Sequence, residues 1–315
     1  MSPLPGVFVA FRLPPELSAL HDAPFVLHLG DHALDADQRA RVRALVTNGI
    51  RGADAALMDQ FPNLELIASL GIGLDALDLA AARARNLVVT NTPGVIADDV
   101  ADLAMALLID RLRQVTAANR FVLAGDWAKG PFPLARSLTG KTVGIVGMGT
   151  IGRAVAQRAE AFRMQVKWHG PRAKPDVQQD YVPELLQLAR DSDVLVVACA
   201  GGAATRHLIN APVLAALGPA GVLINVARGA VVDTSALIAA LASGQLGSAA
   251  LDVLEHQPQV PPELLANDKV LLTPHLGTAT RETRARMGAM VLQSLTDHFA
   301  GVIPQHRVAQ GGTTT

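Results

Sequence analysis

The chain has almost no cysteine: Cys199 is the only one in 315 residues. No disulfide can form within it, which fits a reducing compartment such as the cytoplasm. Charge of either sign is not in excess. Lys and Arg number 27 against 28 Asp and Glu, for a net charge of -1. The basic field that a general nucleic-acid binder needs is therefore missing. No apolar run approaches the roughly 18 residues of a membrane span, and even the stretch 100–109 is interrupted by Asp102. The N-terminus lacks a basic region ahead of an apolar one, so it reads as a first strand and not as an export signal. There is no repeat at solenoid periods, and no metal is expected. What is present is apolar: 50% of the residues are hydrophobic and 17% are charged. That composition supplies a large core and argues against disorder. At roughly 150 residues per domain, the length suggests two domains.

The middle of the chain alternates strand and helix. The segments 141–147, 164–170, 193–200, 221–228, 248–253 and 269–275 are apolar and β-branched. Between them lie helical patterns at 151–162, near 182–189 and at 234–244. Near-continuous apolar strands separated by amphipathic helices indicate a parallel sheet covered on both faces, with ligands at the carboxyl ends of its strands. The first hundred residues repeat the strategy with five short apolar runs. Helices are expected around 99–122 and 280–300, the latter with Thr280 as N-cap and Glu282 in its first turn. The tail 309–315 is expected to be disordered.

Gly147-Met148-Gly149-Thr150-Ile151-Gly152 follows one of these strands and opens a helix. The first glycine permits a tight turn, the second lets backbone approach a pyrophosphate, and the third lets helix pack on strand. The reading is an α/β chain of two doubly wound, Rossmann-like domains with parallel sheets. A dinucleotide-binding domain spans 100–279. A discontinuous substrate domain combines 1–99 with 280–315. The identity of the dinucleotide turns on the end of the next strand, where NAD sites usually carry an acid. Here residues 167–174 contain none and include Arg172 and Lys174. Either could face a 2′-phosphate, so NADP (NADPH) is preferred over NAD. The alternative is that Arg172 is a solvated loop residue in an NADH enzyme.

Seven pieces fall in one order along the chain: Gly71-Ile72-Gly73-Leu74-Asp75, Asn91-Thr92-Pro93-Gly94, Val100-Ala101-Asp102, the glycine loop, Ile224-Asn225-Val226-Ala227-Arg228-Gly229, Leu251-Asp252-Val253 and Thr273-Pro274-His275-Leu276-Gly277. In this order they resemble the D-isomer-specific 2-hydroxyacid dehydrogenase family over nearly the whole chain. The stretch from Gly125-Asp126-Trp127 to Thr139-Gly140-Lys141 is similar to the NADPH-preferring glyoxylate, hydroxypyruvate and hydroxyphenylpyruvate reductases of that family. The resemblance implies hydride transfer from NADPH to a small 2-oxo acid, giving a D-2-hydroxy acid. It also implies a homodimer formed through the 100–140 region.

Such a reaction needs a carboxylate clamp, an electrophile at the keto oxygen and a proton donor. Histidine titrates near neutrality and suits the last role. His275 is marked by its place at the end of an apolar strand, and the resemblance makes it the general acid; a structural histidine is the alternative. Arg228 ends another strand, and its planar fork of donors suits both carboxylate and keto oxygen. Gly71, Ile72 and Gly73 are expected to offer backbone N–H groups to the substrate carboxylate, with Leu74 shaping the side-chain pocket. Val226, Ala227, Asp252 and Gly277 are implied on the cofactor side, with a loop-bracing carboxylate as the alternative for Asp252. Cys199 reads as a small buried filler. Thr205 and His207 line the cofactor cleft or serve only their loop.

One position departs from the family pattern. The glutamate that pairs with the catalytic histidine is replaced by Gln257, just before Pro258. A neutral amide orients the ring but does not stabilise the imidazolium by charge, so the histidine is expected to titrate lower than with glutamate. Glu255, two residues away, is the other candidate partner. The change leaves a second class open: a nucleotide-sensing binding protein with little turnover.

Overall fold

The computed structural model describes residues 4–30 and 32–308; the tail 309–315 lies outside them. The chain divides into two compact units, Met1–Val95 with Ala279–Thr315, and Ile96–Thr278. The first division falls a few residues before the expected 99/100, ahead of the long helix that begins at Ala97, and the second lies next to the expected 279/280. No helix among the described residues is long and apolar enough to cross a membrane.

The first unit holds a five-stranded sheet. Its strands are β1 (Gly6–Val9), β2 (Val26–Leu29), β3 (Val42–Asn48), β4 (Leu66–Leu70) and β5 (Val88–Thr90). They lie in the order β2-β1-β3-β4-β5, and every pair is parallel. β1 and β4 bury all of their residues, as strands covered on both faces must. The helix Arg281–Phe299 packs against β4 and the short 3-10 helix Pro15–Asp22. It is capped as expected, with Thr280 Oγ1 accepting from Thr283 N at 3.2 Å. Near its other end His298 Nε2 lies 3.0 Å from Glu65, which also takes a two-pronged bond from Arg43. The Arg43 hydrogen bond leads in holding the Glu65 carboxyl below its usual range, against burial, and His298 adds to it.

The second unit is built on seven strands: β6 (Thr142–Val146), β7 (Gln165–His169), β8 (Asp180–Tyr181), β9 (Val194–Val197), β10 (Val222–Asn225), β11 (Ser248–Leu251) and β12 (Val270–Leu272). Their order is β12-β11-β10-β9-β6-β7-β8, again all parallel. The chain runs outward from β6 to β8 on one side and from β9 to β12 on the other. The direction of winding therefore reverses between β6 and β9, where open α/β sheets bind their ligands. The central strands β9 and β10 are buried throughout. Each such Val, Leu or Ile contributes roughly 1.5–3 kcal/mol over an exposed one.

Three elements differ from the sequence expectation. β8 is only two residues of polar sequence and pairs with β7 at Lys167 and Trp168. It takes the Val182 N–H into the ladder, so the helix expected near 182 starts at Leu185. The helix expected around 99–122 is two, Ala97–Arg113 and Val115–Leu123, broken at a left-handed Gln114. Asp110 makes the break: it is 7% exposed, and its carboxylate accepts from Thr116 N at 2.7 Å and from Arg111.

A tight contact shows how closely the last helix is seated. A Cβ at Gly288 would lie 2.0 Å from the Glu16 carbonyl oxygen. Gly288→Ala is expected to destabilise the chain by about 2 kcal/mol or more, since backbone must move to admit the methyl. A lower urea midpoint checks this; an unchanged one contradicts the packing.

Candidate active site

The glycine loop occupies the reversal point. Gly147 continues β6 at φ +97°, and a Cβ there would lie 2.5 Å from Cys199 Cα at the end of β9. Only glycine fits that turn at that distance. A Cβ on Gly152 would lie 2.0 Å from the Gly147 carbonyl oxygen, so the third glycine seats the helix Thr150–Ala161 on its strand. Gly149 is different: nothing lies within 4 Å of where its Cβ would be, and it caps that helix without a side-chain hydrogen bond. The helix thus starts without a side-chain cap and with open space beside Gly149, which leaves room for a pyrophosphate. Thr150 is exposed and Ile151 half-buried. Met148 is 2% exposed, so its side chain belongs to the core and only its backbone can serve a ligand. Burial pushes the Cys199 thiol up to about 11, as suits a filler beneath the loop and not a nucleophile.

The loop after β7 folds back over this cradle. Lys174 Nζ donates to the Met148 carbonyl at 2.8 Å, which places a cation on the glycine loop itself. Arg172 is exposed two residues earlier. The first acid past the strand, Asp176, is bound to Arg153 of the glycine helix at 2.7 Å. It does not stand at the strand end, where a ribose carboxylate would be.

Three further strand ends line up at the same edge. Asn225 of β10 is level with Leu251 of β11, which is level with Leu272 of β12. Arg228, Asp252 and His275 follow within a few residues, and β10 and β12 lie roughly 10 Å apart, two strand spacings. Asn225 is fully buried and shapes the first turn: its amide donates to the Arg228 carbonyl at 3.0 Å and accepts from Ala227 N at 3.1 Å. Val226 and Ala227 are each 6% exposed, so their contribution to a ligand is made by backbone. Arg228 Nη1 donates to the Ala227 carbonyl at 2.8 Å.

Asp252 turns out to be the brace. It is 2% exposed. Its Oδ1 accepts from Thr273 Oγ1 and Leu276 N, both at 2.7 Å, and its Oδ2 accepts from Gly277 N at 3.0 Å. Its carbonyl accepts from His275 N at 2.9 Å. These bonds match the loop-bracing alternative for Asp252, and they hold the Gly277 N–H as well. His275 sits in the middle of the braced turn at φ +57°, a left-handed conformation that side chains other than glycine adopt only when their surroundings enforce it.

Gln257 Nε2 lies 2.9 Å from His275 Nδ1, while Gln257 Oε1 reaches Leu254 N at 3.4 Å. An amide offers both donor and acceptor. It can meet a neutral ring with its N–H and a protonated ring with its carbonyl. Glu255 does not compete for His275: it faces His207 Nε2 at 2.8 Å. Thr205 caps its own loop through the Ala200 carbonyl.

In the first unit the Gly71 loop is clasped from β5. Thr92 Oγ1 accepts from Gly71 N at 3.0 Å, Thr92 N donates to the Gly71 carbonyl at 3.1 Å, and Asn91 Nδ2 donates to the Ile72 carbonyl at 3.1 Å. Asn91 and Thr92 are nearly wholly buried. Gly71 therefore spends its N–H on Thr92, leaving Ile72 and Gly73 as the donors available to an anion. Leu74 is half-buried against the core cluster of this unit. No cluster of three or more His, Cys, Asp or Glu among the described residues could hold a metal.

A glycine loop at the winding reversal, with an arginine and a paired histidine at strand ends on the same edge, defines a nicotinamide-dinucleotide oxidoreductase. Residues 105–277 match the D-isomer specific 2-hydroxyacid dehydrogenase, NAD binding domain, family. The chain belongs to this D-2-hydroxyacid dehydrogenase family. It is 46% identical over 263 residues to a glyoxylate/hydroxypyruvate reductase of Arabidopsis thaliana, covering 84% of each chain. It is 45% identical over 264 residues to the hydroxyphenylpyruvate reductase of Plectranthus scutellarioides, again covering 84% of each. Its fold matches an NADPH-dependent glyoxylate/hydroxypyruvate reductase of Sinorhizobium meliloti, solved with NADP and malonate. The TM-score is 0.92 at 38% identity, over 99% of this chain and 98% of that one.

The bracing of His275 has a measurable consequence. Asp252→Ala leaves two backbone N–H groups and a hydroxyl without their acceptor. It is expected to lower stability by on the order of 3 kcal/mol in urea unfolding. Turnover is expected to fall more than about tenfold as the left-handed turn relaxes. Wild-type turnover in a folded variant would contradict the brace.

Proposed function

We propose that the protein is an NADPH-dependent reductase of small 2-oxo acids such as glyoxylate and hydroxypyruvate, giving D-2-hydroxy acids. The observation that carries this reading is the alignment of Arg228 and the Gln257–His275 pair at one edge of the sheet that holds the glycine loop. When bound, the reduced nicotinamide supplies the hydride. Arg228 holds the substrate and stabilises the charge that builds on the keto oxygen. His275 gives that oxygen its proton, and Gln257 keeps the ring oriented through both protonation states. The Ile72 and Gly73 N–H groups receive the substrate carboxylate. Gly147, Gly149, Thr150, Ile151 and Gly152 receive the pyrophosphate, mainly through backbone. A panel of 2-oxo acids, with NADPH oxidation followed by absorbance, tests the proposal. Turnover of glyoxylate or hydroxypyruvate is the expected result. NADPH binding without turnover of any acid would favour a nucleotide-sensing protein instead.

The preference for NADP over NAD is supported by Lys174 on the glycine loop, Arg172 beside it and Asp176 tied to Arg153. The protein is further proposed to be a cytoplasmic homodimer joined through the 100–140 region. Large apolar side chains there stand in solvent: Leu134 is 99% exposed, Leu123 78% and Trp127 69%. Such an exposed set marks an interaction surface more often than a free one.

Two outcomes follow for variants. Reduction needs the protonated imidazole, so its rate falls as pH rises through the His275 pKa. Gln257→Glu places a carboxylate 18 residues before His275 in the same pairing, stabilises the imidazolium and raises that pKa. The alkaline fall in the reduction rate is expected to move to higher pH, and an unmoved profile would count against the pair. Replacing Arg172 and Lys174 together by alanine is expected to lower the NADPH-to-NADH ratio of kcat/KM by about tenfold or more. A ratio that stays put would leave both cations outside the cofactor site.

A further inference from the structure

Glu255 is a buried carboxylate, its side chain 8% exposed, beside the proposed catalytic groups but not aimed at them. Its Oε1 lies 2.8 Å from His207 Nε2 and 3.1 Å from Arg206 Nη1, and Thr234 adds a side-chain hydrogen bond. Burial pushes the Glu255 carboxyl up, but the His207 and Thr234 bonds and the Arg206 charge outweigh it and hold the group below its usual range. Asp233 also faces the imidazole, its Oδ2 3.9 Å from His207 Nδ1. His207 is itself left-handed, at φ +51°. Its backbone N–H donates to the Ala230 carbonyl at 2.8 Å, and Ile209 N donates to the Val231 carbonyl at 3.0 Å. The loop after β9 is thus laced by backbone to the turn that follows Arg228. The same turn lies directly on the Glu255 segment: a Cβ on Gly229 would be 1.9 Å from Leu254 C and 2.3 Å from Glu255 N. The turn Leu254–Gln257 then carries the amide that meets His275.

We propose that Glu255, with His207 and Arg206, is a positioning cluster that clamps the Arg228 turn to the Gln257 turn and so fixes the guanidinium relative to the imidazole. This rests on the reductase reading above. Neither Glu255 nor His207 contacts the reacting atoms; they act through Arg228 and through the Gln257–His275 pair. The clamp sets the geometry of turnover and leaves the glycine loop alone, so its loss should appear in kcat and not in cofactor affinity. A purely structural role would lower the melting temperature and leave kcat of the folded enzyme unchanged.

The test uses the full-length enzyme with NADPH and whichever 2-oxo acid the wild type turns over. Glu255→Ala is expected to lower kcat about 100-fold, the scale of a misplaced catalytic group, while the NADPH Kd read by fluorescence stays within about threefold. Glu255→Gln keeps an acceptor oxygen for His207 and is expected to recover kcat to within about tenfold of wild type. His207→Gly keeps the left-handed backbone and removes only the imidazole; kcat is expected to fall about tenfold. If Glu255→Ala does not fold, the other two variants decide. Wild-type kcat in the folded variants, or a loss of NADPH affinity in step with kcat, would overturn the clamp. A wild type that turns over no acid would overturn the function on which it rests, and that result is separable because it needs no variant.

Discussion

All seven strands of the larger unit run the same way, so every loop that follows a strand leaves the sheet at one edge. This constraint lets the glycine loop after β6, Arg228 after β10, Asp252 after β11 and His275 after β12 share one border although 128 residues separate the first from the last. Antiparallel pairing would send alternate loops to the opposite edge. The apolar sequences of β9 to β11 are thus more than core material. Their buried register determines which residues are level with one another.

Orienting the groups at that edge falls to buried polar residues. Asn225 shapes the Arg228 turn, Asp252 folds the His275 turn, and Glu255 ties its own segment to His207 in the loop after β9. Each is mostly or wholly buried, and each is hydrogen-bonded to backbone or to a named side chain. Buried groups of this kind are valuable only when fully satisfied. His207 and His275 are left-handed, and both lie where two loops are tied together. Strain of this sort persists only in a framework that over-determines it.

The strands and the cofactor loop were legible in the sequence because their signals are local. A β-branched apolar run followed by glycines at fixed spacing has few other uses. Gln257 could be paired with His275 only through the family resemblance and the neighbouring Pro258, and the structure puts the two in contact at 2.9 Å. Other features were hidden because their partners are distant or their sequence is bland. Thr92 reaches back 21 positions to take the Gly71 N–H, so the Gly71 loop offers one donor fewer than its three residues suggest. Lys174 was visible as a cation, but not its bond to the Met148 carbonyl. For Asp252 the resemblance implied a place on the cofactor side and the sequence left a loop-bracing role open, without showing which groups it would brace. Its three donors lie 21 to 25 positions downstream. The broken helix at Gln114 followed from Asp110, an acid on a helix face that periodicity alone reads as one of many.

Under the proposed function, one small acid is held at once by Arg228 and His275. A crystal structure of the enzyme with NADPH and the unreactive mimic oxamate measures this most directly. The expected result is the Arg228 guanidinium and His275 Nε2 each within about 3 Å of the mimic. A mimic bound by only one of the two side chains, with the other turned away from it, would contradict the account.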